Sequence, residues 1–198
     1  MVKRRKLRKR AMYFLSTPFI ILGLLLLILF ALSDSTSKLI DSKKIPEEFI
    51  PIYKAAAEEY GIPWELLAAH HRVETKFSTM DPMISPVGAE GPMQFMPCTF
   101  VGWQHPTCNG LGTGEISEKE KVDPDVIAKY GGYGVDANGD GKADPFDVED
   151  AIFSAANYLQ SNGAAEGDLE RAIFAYNRSD QYVSDILYYV EEYSKQEE

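Results

Sequence analysis

The chain has 198 residues, 45% of them hydrophobic, and a formal net charge of −10 at pH 7. That length is enough for one domain with one core, and the acidic balance excludes nucleic-acid binding through phosphate contacts, which needs a basic surface. The charge is also uneven. Residues 3–10 (KRRKLRKR) hold seven basic residues, and beyond residue 32 thirteen basic residues face all thirty acids, a net −17.

Residues 1–10 read as a basic cytoplasmic tail, and residues 11–32 as a transmembrane anchor. The twenty-two residues from Ala11 to Leu32 are broken only by Ser16, Thr17, Pro18 and Gly23. At 1.5 Å per residue they span about 33 Å, enough for a hydrocarbon core of about 30 Å. The positive-inside rule keeps the basic end cytoplasmic, so the rest faces outward on a single-pass membrane protein. A cleaved signal peptide is the alternative, with Ala31 and Ser33 as small residues at the cut; the length of the run favours a retained anchor. Residues 33–45 are polar and read as a linker.

The remainder, residues 46–198, reads as mainly α-helical, with no five-residue segment that alternates cleanly. Phe49, Ile52, Tyr53, Ala56 and Tyr60 recur at helical spacing before Gly61. A second helix is expected from Pro63 to Val73 or Glu74, with Trp64, Leu67 and His70 or His71 facing inward. Residues 78–91 hold two prolines and two glycines and read as loop. Short helical turns follow to Trp103, interrupted at Pro97, and residues 104–135 take no secure assignment. Asp147 or Asp150 caps a helix through Leu159 that Gly163 ends, Asp168 caps another to Tyr176, and Ser179 or Asp180 opens a last one through Tyr193.

Glu74 falls at the end of the second helix, where the helix dipole disfavours a carboxylate and raises its pKa. A carboxylic acid protonated near neutral pH is what general-acid chemistry needs. Among thirty acids that signal is weak by itself. The segments ETKFS (74–78) and GAEGPMQFMPCTF (88–100), followed by Ala175-Tyr176-Asn177, resemble lytic transglycosylases of the goose-type lysozyme-like (SLT) fold. The spacing of Gly-Pro-Met-Gln-Phe-Met-Pro is similar to their membrane-bound B-type branch. The resemblance covers roughly residues 46–193 and departs from the usual pattern at Thr75, where Ser is common, and at Pro92, where many relatives carry Leu.

The resemblance implies a lysozyme-like domain that cuts peptidoglycan between N-acetylmuramic acid and N-acetylglucosamine and leaves 1,6-anhydromuramic ends. Glu74 would be the catalytic acid, with Thr75, Met93, Gln94, Tyr176 and Asn177 contacting substrate. The residues themselves allow Gly88 and Gly91 to bring backbone close to a sugar. Gln94 can donate and accept hydrogen bonds, and Phe95 and Met96 suit the core. A hydrolytic muramidase would need a second acid, for which Asp81 is the candidate, although Asp81 before Pro82 also reads as a turn residue. An inactive wall-binding module, and an accessory role in an envelope-spanning assembly, are the remaining readings. The acidic surface will not be drawn to anionic wall polymers, so substrate must be held by contacts in the site.

No cofactor is expected for the chemistry. Residues 136–147 (DANGDGKADPFD) place Asp136, Asn138, Asp140, the Lys142 carbonyl, Asp144 and Asp147 at the spacing of a calcium loop, with Gly141 at the turn. A structural calcium is one reading and a polar turn capping the next helix through Asp147 is the other. His70 and His71, about 100° apart on a helix, cannot chelate one metal together. Cys98 and Cys108, ten apart in the outward portion, can form a local disulfide or stay as two thiols.

Overall fold

A computed structural model describes residues 44–195; the basic tail, the anchor at 11–32 and nearly all of the linker lie outside the described residues. Among those described, no helix is long and apolar enough to cross a membrane. The unit from Ile45 onward is built of helices, and its described residues hold no strand, only isolated bridges of Ile84 with Glu90 and of Glu90 with Phe95.

After a 3-10 turn at Glu47–Phe49 come α1 (Ile50–Tyr60), α2 (Trp64–Thr75), α3 (Pro97–Val101), α4 (Glu118–Lys121), α5 (Pro124–Tyr130), α6 (Val148–Leu159), α7 (Leu169–Tyr176) and α8 (Asp180–Ser194). A π-helical turn, Gln160–Ala164, extends α6 and is kinked at Gly163, whose φ is 114°. The stops follow local chemistry. Gly61 takes the left-handed C-cap of α1 and Gly131 that of α5. Asp147, Asp168 and Ser179 cap α6, α7 and α8 with their side chains.

The stretch left unassigned in the sequence contains α4 and α5. Ser117 and Glu120 form a reciprocal capping box on α4, and Asp123 caps α5 directly before Pro124. Pro97 opens α3 instead of interrupting it, because the first turn of a helix has no use for the missing N–H.

α2 is the centre of the core. Leu66, Leu67, Ala68 and Ala69 are fully buried, as are His70 and His71. α8 packs along α2 and contributes Tyr182, Ile186 and Tyr193, while α1 and α6 close the other side through Tyr53, Ala56, Ile152 and Leu159. The last turn of α2 is thereby held by packing on several sides, and that turn carries Glu74.

Candidate active site

Glu74 is the penultimate residue of α2 and is half-buried. Its Oε1 accepts a hydrogen bond of 2.5 Å from the Tyr182 hydroxyl on α8. Burial raises its pKa to about 7, against the lowering effect of the tyrosine hydroxyl. Desolvation, more than the helix dipole, thus keeps this carboxyl protonated near neutrality. Beneath it lies His70, whose Nδ1–H donates to the Leu66 carbonyl at 2.8 Å and whose buried Nε2 has no hydrogen-bond partner. Burial pushes the His70 imidazole down to about 4. Its ring meets those of Tyr176 and Tyr182 edge-on, at 4.9 and 5.8 Å between centroids.

The chain leaves α2 through Lys76, Phe77 and Ser78, three consecutive non-glycine residues with φ of 52°, 61° and 62°. Left-handed backbone costs about 1–2 kcal/mol per residue with a Cβ, so this turn must be held from outside itself. Thr75 and His71 hold it. The Thr75 Oγ1 donates to the Pro92 carbonyl at 2.8 Å and accepts from the Ser78 N–H at 3.1 Å. His71 links the Tyr53 hydroxyl to the Ser78 Oγ, both at 2.7 Å. Thr75, expected at the substrate, is 1% exposed and instead ties the Glu74 turn to the 88–97 segment.

That segment folds back through paired hydrogen bonds between Glu90 and Phe95. Met93, expected to line a groove, is fully buried: its side chain is core, and its carbonyl accepts from the Tyr176 hydroxyl at 2.7 Å. Gln94 has φ 52° and its Nε2 donates to the Gly91 carbonyl at 2.8 Å, which leaves Oε1 as its acceptor for a ligand. The two glycines serve the protein's own chain more than a sugar. A Cβ on Gly91 would sit 1.7 Å from the Pro145 carbonyl oxygen, and one on Gly88 2.8 Å from the Thr113 methyl. Glu90, half-buried, pairs with Lys121 of α4 at 2.7 Å.

Gln94 and Tyr176 line one cavity of about 230 Å³ with Phe95, Met96, Thr99, Trp103, Tyr158 and Arg178. Glu74 is not in its wall, but Tyr176 connects the two: burial raises the Tyr176 phenol well above its ordinary range, and the Glu74 charge adds to that. Phe95 is core as expected, whereas Met96 lies at the cavity. Asn177 is exposed just past the end of α7, and Asp81 is exposed in the loop after α2. Sequence reasoning missed Tyr182, Trp103, Tyr158 and Arg178. The signal for Tyr182 was its position three residues after the Ser179 cap, on the first turn of the last helix.

In the 136–147 loop the side-chain oxygens are turned onto the loop's own amides. Among the described residues no three acidic, histidine or cysteine side chains converge. Asp136 accepts from the amides of Gly139, Asp140 and Gly141, Asn138 from that of Asp140, and Asp140 from that of Lys142. Asp144 accepts from the Phe146 N–H, and Asp147 is the cap of α6. The loop is anchored by a residue outside it: fully buried Asp150 accepts from the amides of Ala137, Asn138 and Asp144 at 2.8, 3.2 and 2.9 Å. Cys98 and Cys108 are joined in a disulfide, Cα–Cα 5.7 Å.

Residues 126–171 match the family described as the Transglycosylase SLT domain. The matched stretch runs from α5 through the anchored loop and α6 into α7, and supports the lysozyme-like, peptidoglycan-degrading class that the motifs around Glu74 suggested. An L-Ala–D-Glu endopeptidase of Bacillus subtilis (strain 168) is 28% identical over 165 residues, 83% of this chain and 47% of that protein. The chain thus spans about half the length of that curated relative. No solved structure gives a significant match. The membrane-bound B-type branch is not distinguished by either match.

Proposed function

We propose that the chain is a membrane-anchored lytic transglycosylase that cuts peptidoglycan glycan strands on the outer side of the membrane, with Glu74 serving as acid and then as base. The observation that carries this reading is the Glu74 carboxyl, half-buried, raised to about 7 and held by Tyr182. The protonated carboxyl gives its proton to the oxygen between muramic C1 and the glucosamine C4. The C1–O bond breaks, glucosamine leaves with a free 4-hydroxyl, and positive charge develops at C1. The Glu74 carboxylate, steadied by the Tyr182 hydroxyl, then removes the proton of the muramic C6 hydroxyl as its oxygen bonds to C1. A 1,6-anhydro ring forms, Glu74 is protonated again, and neither water nor a cation takes part.

The test is cleavage of purified peptidoglycan. Glu74→Gln keeps the shape but cannot carry the proton, and general acid–base catalysis contributes about 10²–10⁴-fold, so release of soluble fragments should fall by at least that factor. Asp81→Asn should lose little. Equal loss in both variants supports a two-carboxylate hydrolase instead.

A further inference from the structure

Trp103 is 52% exposed, yet the chain around it is fixed on every side. The Cys98–Cys108 disulfide closes the segment that contains it. Inside that segment the Gly102 N–H bonds to the Cys98 carbonyl, His105 to Gly102 and Cys108 to His105, and the Cys98 N–H reaches the Gly112 carbonyl at 2.9 Å. Gly102, φ 120°, presses on the end of α5: a Cβ there would lie 2.1 Å from the Tyr130 carbonyl oxygen. The indole rests against Gly112, with its Cη2 and Cζ2 each 3.1 Å from where a Gly112 Cβ would stand. This leaves a large aromatic surface at the mouth of the cavity that also holds Tyr176, the Gln94 amide and Arg178.

An indole kept exposed by this much local structure has no packing role that explains it. The axial C–H face of a pyranose is apolar and matches an aromatic ring, while its rim of hydroxyl and acetamido groups matches the Gln94 acceptor and the Arg178 donors. We propose that Trp103 is a glycan-stacking, specificity-determining residue that holds an N-acetylhexosamine ring near the bond cut at Glu74, and that the Cys98–Cys108 disulfide keeps this platform in register with Tyr176. The inference rests on the glycan-cleaving reading and adds to it a residue and a redox dependence.

The test uses the full chain carrying Glu74→Gln, so that binding is read without cleavage, and Trp64→Phe, so that Trp103 is the sole tryptophan. Soluble uncrosslinked strands of alternating N-acetylglucosamine and N-acetylmuramic acid are titrated while Trp103 emission is followed. The emission should shift and saturate. By titration calorimetry, which needs no tryptophan, Trp103→Ala in the Glu74→Gln chain should weaken binding by about tenfold, an increment of about 1.4 kcal/mol, and Trp103→Phe should recover most of it. In the active chain the Trp103→Ala loss should fall on KM more than on kcat, and reducing the disulfide should mimic it; a circular dichroism spectrum shows whether the reduced protein stays folded. Strands that bind without moving Trp103 emission, or a Trp103→Ala variant with unchanged affinity and KM, overturn the platform while leaving the cleavage reading intact. A chain that neither binds nor cuts these strands removes both.

Discussion

At the scale of single residues, the site turns on a carboxyl with two opposing neighbours. Burial raises Glu74 and the Tyr182 hydroxyl pulls it down. In the proposed mechanism the acid form starts the reaction, so activity should decline as pH rises through about 7. Tyr182→Phe removes a hydrogen bond to the charged form, which raises the Glu74 pKa further, and the alkaline limb of kcat/KM should move up by about one unit. A limb that stays in place or moves down would show that Tyr182 does not contact Glu74 in the working enzyme. The same shift has a cost in stability. A carboxyl near 4.5 unfolded and about 7 folded binds its proton more tightly in the folded state. The folded state therefore loses stability as pH rises between those values, and Glu74→Gln should melt above the wild type at pH 8. Thr75, Met93 and Gln94 show what one-dimensional motifs cannot separate. The pattern marks all three, but Thr75 and Met93 sit inside, holding the turn after Glu74 and the Tyr176 hydroxyl, and only Gln94 reaches the cavity.

At the scale of elements, the long helices were legible and the short ones were not. α1, α2, α6, α7 and α8 show apolar periodicity over eight or more residues, with Gly, Asp or Ser at several of their ends. α4 and α5 are too short for periodicity, and their signals, the Ser117–Glu120 box and Asp123-Pro124 through Gly131, are purely terminal. The acidic loop was legible as a loop, with a calcium site and a capping turn both open in its sequence. Its spacing suits calcium, but which oxygens converge depends on backbone turns that spacing does not encode. Those turns send the side chains to amides, and the carbonyl of Pro145 meets Gly91 of the motif segment. The loop therefore braces the segment that presents Gln94, and Asp150 braces the loop. Melting curves of the full chain test this directly. Asp150→Ala leaves the amides of Ala137, Asn138 and Asp144 without their acceptor and should destabilise by roughly 3 kcal/mol, and melting in millimolar calcium against a chelator separates a cation loop from a turn that caps itself. A rise with calcium that Asp140→Ala abolishes would place a cation in the loop, and identical curves would leave the self-capped turn.

At the scale of the whole molecule, the helical unit, the anchor and the reaction outcome make one account. The helical unit and the Transglycosylase SLT domain match over residues 126–171 agree with the class suggested by the motifs. The anchor at 11–32 and the outward placement rest on the sequence, since those residues lie outside the described ones. The proposed outcome rests on Glu74 acting alone: hydrolysis and ring closure begin with the same protonation and differ in whether water or the C6 hydroxyl reaches C1. Mass spectrometry of the muropeptides that the full chain releases from purified peptidoglycan tests that claim most directly. Anhydromuramic ends, lighter by one water than the hydrolysis product and absent with Glu74→Gln, are the result predicted here; muramic acid with a free reducing end would contradict it.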